Sequence, residues 1–150
     1  MEPRITFEEL PDGLYPLLRN IEAYLKKNVS HPLIGLIKTR ASQINSCGYC
    51  LDMHHKDAIK AGESFQRLYL LPAWKESPVF NDAEKAALQL TDVLTNINQI
   101  EPEVIEEAYA LMTKHYSKQE IANIILAICQ INSWNRIART MGSVPGTYQN

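Results

Sequence analysis

Apolar residues recur at three- and four-residue spacings along nearly the whole chain, and no stretch alternates apolar with polar long enough to read as a strand. The pattern predicts helices throughout. The first follows Pro11-Asp12-Gly13, with Leu14, Leu17, Leu18, Ile21, Tyr24 and Leu25 as its expected buried stripe, and ends near Asn28. Ser30-His31-Pro32 supplies a cap-like start with proline in the first turn. The second helix then carries Leu33, Ile34, Leu36, Ile37, Ala41 and Ile44, and stops around Asn45-Ser46. A third begins at the cysteines and runs to about Ala61-Gly62, where glycine suits a C-terminal cap.

A shorter helix, Ser64 to Leu71, is closed off by Pro72, and Asn81 or Asp82 caps the next one through Ala86, Ala87, Leu90, Val93 and Leu94. Another opens at Pro102 and carries Val104, Ile105, Ala108, Leu111 and Met112. Its continuation past Tyr116-Ser117 is the longest apolar segment, from Ile121 through Ile124, Ile125, Ile128 and Ile131 to Ile137. Those β-branched residues are mediocre helix formers, so burial has to decide. A buried strand is the competing reading, and the length of the run favours helix. The tail from Gly142 reads as frayed, and neither repeats nor low-complexity linkers interrupt the chain. The expectation is one all-α domain, a helical bundle over residues 1–150, with the paired cysteines at the N-terminus of a central helix.

Composition narrows the partners. A net charge of -2 argues against nucleic acid, which needs a concentrated basic surface. No run of about 18 apolar residues is present to span a membrane. Met1-Glu2-Pro3-Arg4 lacks the basic start and apolar run of a secretory signal. The chain has 3 cysteines, an odd number with two of them in one CxxC, which is no disulfide scaffold. A reducing cytoplasm fits, with any disulfide transient and catalytic.

The chemistry concentrates in Cys47-Gly48-Tyr49-Cys50, followed by His54 on the same helical face as Cys50. Two thiols so spaced can close into a disulfide, and the imidazole can move protons. A peroxide-reducing cysteine must be a thiolate, and a helix N-terminus favours that negative charge. Cys50, inside the first turn and above His54, is therefore the expected attacker. Cys47, at the exposed tip, is the expected resolver and the point where a reductant enters. The face continues to Ala58 and Ala61, small enough to admit a close-packed neighbour.

Three rival readings of the motif compete with this one. Two inert buried cysteines would leave the histidine without a role. A zinc site has plausible ligands in Cys47, Cys50 and His54 but no second Cys/His cluster to complete it. A thioredoxin-type fold needs βαβ strands that the pattern does not offer. Elsewhere, His55 points about 100° away from His54, and His31 and His115 read as a cap-region residue and a helix end. Cys129 reads as a small core residue. Tyr49, Trp74 and Trp134 are candidates to line the pocket, and Asn135 and Arg136 to cap or pair structurally.

The run Arg40-Ala41-Ser42-Gln43-Ile44-Asn45-Ser46-Cys47-Gly48-Tyr49-Cys50-Leu51-Asp52-Met53-His54 closely resembles the signature of the alkylhydroperoxidase D-like proteins of the carboxymuconolactone decarboxylase superfamily. Arg67-Leu68-Tyr69-Leu70-Leu71-Pro72-Ala73-Trp74 and Ile131-Asn132-Ser133-Trp134-Asn135-Arg136 extend the likeness over most of the chain. The resemblance implies a thiol-dependent peroxidase that reduces hydrogen peroxide or alkyl hydroperoxides and assembles as homotrimers or homohexamers. It needs no cofactor and no metal, and takes electrons from an external dithiol or a lipoyl-type protein. It also implies Cys50 as peroxidatic, Cys47 as resolving and His54 as part of a proton relay.

One position departs from the resemblance. The family's relay glutamate, twelve residues before the first motif cysteine, is Gly35 here. That departure keeps a second reading open, a weakly active or non-catalytic redox sensor. Lactone-acid decarboxylation is a third reading, and the CxxC pair argues against it.

Overall fold

The computed structural model describes residues 2–149. Among them the chain forms seven α-helices, α1 (Leu14–Asn28), α2 (His31–Ile44), α3 (Gly48–Lys60), α4 (Phe65–Leu70), α5 (Asp82–Thr95), α6 (Pro102–Met112) and α7 (Lys118–Met141), and no strand. The all-α expectation holds. None of these helices is long and apolar enough to cross a membrane.

Local signals place the ends. At α5 the Asn81 side chain accepts from the Glu84 N–H at 2.9 Å while Glu84 accepts from the Asn81 N–H, a reciprocal capping box. Ser117 and Glu120 repeat it at α7, where the Ser117 N–H donates to Glu120 at 2.7 Å. This second box corrects one sequence expectation. The run past Tyr116-Ser117 does not continue α6; a turn over 113–117 separates the two helices, because the box satisfies the first N–H groups of a new one. Pro72 does not simply stop α4 either, but begins a tight turn over Leu71–Ala73.

Helix α2 is central and packs on α3, α5 and α7, while α6 covers α5. The main core gathers Leu33, Ile34 and Ile37 of α2 with Ala86, Leu90 and Val93 of α5, Met112 of α6, and Ile121, Ile124 and Ile128 of α7. A second cluster forms around Leu36, Leu71, Trp74, Phe80 and Leu88. Helix α7 sits centrally, as its wide apolar arc predicts.

Two burial expectations fail. Of the α1 stripe, Leu25 is fully buried, but Leu17 is 61% exposed and Leu14 and Tyr24 are exposed as well. Helix α1 packs mainly along one edge of α7, so only a narrow arc turns inward, and that arc includes Glu22. Cys129 is exposed, not a core residue, because the inward positions of α7 are Ile128 and Ile131.

Up to Gln149 the tail is packed and not frayed; Asn150 lies outside the described residues. Beyond Gly142, whose φ of 77° lets it end α7 in the left-handed region, the chain runs back over α3. Gly146 N–H donates to Asp52, Lys56 donates to the Tyr148 carbonyl at 2.9 Å, and the Tyr148 hydroxyl donates to Asp57 at 2.9 Å.

Candidate active site

The site begins in the turn between α2 and α3. Ser46 adopts φ 52°, which folds the chain back so that the Cys47 N–H donates to the Ser42 carbonyl at 3.0 Å. Cys47 is the N-cap of α3 and Cys50 lies in the first turn, as the sequence predicts. Helix α7 holds this turn from behind. Asn45 donates to both Asn132 and Asn135 at 2.9 Å, Asn135 donates to Ser42 at 2.9 Å, and Arg139 donates to the Asn45 carbonyl at 2.8 Å. Asn135 is 1% exposed, and its work is structural. Arg136 likewise bonds back to Asn132 on its own helix.

Cys47 and Cys50 are joined as a disulfide with their Cα atoms 5.3 Å apart. Both are 1% exposed, packed with Ala138 and Tyr49. The expectation that Cys47 is openly presented at the helix tip is therefore corrected. Ala138 and Tyr49 pack around the pair, and Pro145 of the tail lies over the neighbouring Gly48, where a Cβ would stand 2.9 Å from Pro145 Cγ. A helix tip is exposed only when nothing returns across it.

His54 is buried, and its Nε2 has no hydrogen-bond partner among the described residues. Burial, then the nearby charges of Lys38 and His55, push its pKa down to about 3. The imidazole is thus neutral across the physiological range. His55 is half-buried, and burial lowers its pKa also, against an opposing pull from Asp52.

A cleft of about 1330 Å³ opens beside the disulfide, lined by Cys50, His54, Tyr49, Trp134 and Gly35 among others. Trp74 is not in it; that indole packs in the second core cluster and donates to Asp92 at 3.1 Å. Gly35 faces α3 where the two helices cross, and a Cβ built there would meet the Ala58 Cβ at 4.0 Å, an ordinary contact, so the crossing itself does not require glycine. Among the described residues no group of three or more His, Cys, Asp or Glu side chains is arranged to hold a metal ion.

Two charged residues in the cleft were missed by the sequence reading. Glu22 of α1 and Lys38 of α2 form a buried ion pair, and Glu22 also accepts from the Trp134 indole at 3.0 Å. The available signal was the placement of each charge beside an apolar neighbour, Ile21 and Ile37, on otherwise inward-facing arcs.

Comparison with known proteins agrees with this architecture. The model of the carboxymuconolactone decarboxylase family matches residues 14–92. The uncharacterized protein YdfG of Bacillus subtilis is 39% identical over 145 residues, covering 95% of this chain and 97% of that protein. A solved structure from Agrobacterium tumefaciens, a protein of unknown function provisionally assigned as the antioxidant defence protein AhpD, superposes with a TM-score of 0.90 at 35% identity over 98% of this chain and all of its own. The debrominase Bmp8 shares the fold at a TM-score of 0.79 and 18% identity, over 89% of this chain and 72% of that one.

Proposed function

The chain belongs to the carboxymuconolactone decarboxylase family, and we propose that within it the protein is a thiol-dependent peroxidase acting on hydrogen peroxide or an organic hydroperoxide. The observation that carries this reading is the Cys47–Cys50 pair in the first turn of α3, closed as a disulfide beside a cleft that Cys50 and His54 both line. A cycle that makes and breaks a disulfide suits a reducing compartment such as the cytoplasm.

In the reduced protein the Cys50 thiolate attacks the peroxide O–O bond. Sulfur is oxidised to sulfenic acid, and the leaving alkoxide or hydroxide takes a proton and departs as alcohol or water. The Cys47 thiol then displaces water from the sulfenic acid, closing the disulfide. An external dithiol, small or lipoyl-type, restores both thiols by exchange and leaves as its own disulfide. The sum is one peroxide and one dithiol converted to alcohol, water and a disulfide. The neutral His54, whose Nε2 is buried and has no partner among the described residues, accepts a hydrogen bond from the thiol. Assembly as a trimer or hexamer belongs to the same proposal.

Peroxide consumption with an added dithiol tests it. Cys50→Ser should abolish turnover, and turnover that survives the substitution overturns the assignment. A redox sensor on the same dithiol is the second reading, favoured by the burial of both sulfurs. It predicts that one equivalent of peroxide forms the disulfide, seen by mass spectrometry, without multiple turnovers.

A further inference from the structure

A buried ion pair is poor value for stability. Removing each ion from water costs several kcal/mol, and matched apolar residues often serve as well or better. The pair Glu22–Lys38 nevertheless lines the same cleft as Cys50, with side chains only about a tenth exposed. Its position follows from the crossing of α2 with α3. Gly35 lies opposite Ala58, and Ser42 is bonded to Cys47 at the other end of the contact. Lys38, one turn beyond Gly35, is therefore level with the turn of α3 that runs from Cys50 to His54.

The thiolate there needs a compensating positive charge. His54 does not supply it, because a buried imidazole lined up with an ammonium stays neutral. The other titratable groups around the cleft are poorly placed as well. Helix α1 contributes Arg19 and Lys26, both exposed and solvent-screened, together with the exposed Tyr15 and the buried Glu22. Helix α2 contributes Lys38 and the exposed His31, and α3 contributes Tyr49, Asp57 and the exposed Lys60. Arg67 of α4 also lines the cleft but is held between Glu63 and Glu84. Tyr148 of the tail is tied to Asp57, and α7 offers only uncharged side chains.

We propose that Lys38, fixed by Glu22 and Trp134, is the cation that stabilises the Cys50 thiolate, taking over the activation for which Gly35 leaves no carboxylate. Glu22 and Trp134 are positioning residues: the carboxylate anchors the ammonium, and the indole N–H anchors the carboxylate. Cys50 ionises by giving its proton to solvent, and the negative charge stays between Lys38 and the N-terminus of α3. This inference rests on Cys50 being the reactive thiol of the proposed peroxidase.

The test reads ionisation, not turnover. In the Cys47→Ser/Cys129→Ser background, Cys50 is the remaining thiol, and its alkylation by iodoacetamide is followed against pH. Lys38→Met should raise the midpoint by about one unit or more, leaving roughly tenfold less thiolate at neutral pH, as loss of a nearby opposite charge does. Lys38→Arg should keep the original profile. Glu22→Gln/Lys38→Met removes both charges at similar shape, so it reports the loss of the cation without an orphaned carboxylate, and it is the variant to read if Lys38→Met does not fold. An unchanged midpoint in that double variant overturns the proposal, as does an equal shift in Lys38→Arg, which would mark a packing effect. Peroxide turnover of the unaltered protein is measured separately. Its absence would defeat the peroxidase reading while leaving the Lys38 result standing.

Discussion

Asn135 shows how much one buried side chain can organise. It accepts from Asn45 and donates to Ser42, so it ties the last turn of α2 and the loop before Cys47 to α7. Asn135→Ala leaves the buried Ser42 hydroxyl without this partner and the half-buried Asn45 with Asn132 alone, and should cost about 1–3 kcal/mol, read as a lower urea midpoint. An unchanged midpoint would mean that the turn is held by Arg139 and Asn132 alone. The asparagine was visible in the sequence as a polar residue within an apolar run. Its partners were not, since Asn45 lies 90 residues away. Glu22 and Lys38 were hidden in the same way. Each reads locally as an ordinary surface charge, and only the crossing of α1, α2 and α7 places them in a cleft.

The tail behaves as an element although it is neither helix nor strand. Its bonds to Asp52, Lys56 and Asp57 hold Pro145 against Gly48, the residue that follows Cys47 in the chain. A chain ending after Ser143 should have its Cys47–Cys50 disulfide reduced roughly tenfold faster at equal dithiol, because access limits exchange at a covered sulfur. The free-thiol count against time measures this, and an unaltered rate would show that Ala138 and Tyr49 are the effective cover. Composition had marked the same segment as frayed. Its glycine and proline content does disfavour helix, but lack of regular structure is different from lack of contacts.

Burial of a neutral imidazole ties the stability of the whole molecule to pH. An unfolded histidine titrates near 6.5, whereas folded His54 titrates at about 3. Above pH 6.5 neither state binds the proton and nothing is lost. As pH falls from 6.5 towards 3 the unfolded chain is protonated and the folded one is not, so stability declines, by at most about 1.4 kcal/mol per unit. His54→Gln should flatten that part of the curve, giving a smaller loss of unfolding free energy between pH 7 and pH 5 than the unaltered chain. Parallel curves would place the proton on folded His54 and contradict its burial as a neutral ring.

Helix limits, capping residues and the placement of Cys50 in a first turn were determined by the sequence alone, because each depends on neighbours within about four residues along the chain. The CxxC spacing and His54 belong to that local class, and so does the resemblance they carry. Tertiary structure decided which arc of each helix faces inward, and so exposed Leu17 and Cys129 while burying Glu22, Lys38 and both sulfurs. The physical reason is that hydrophobic periodicity says a helix has an inner face but does not say how wide an arc its partners will cover. For this protein the local code wrote the dithiol, and the packing of distant segments set its charge environment and its access.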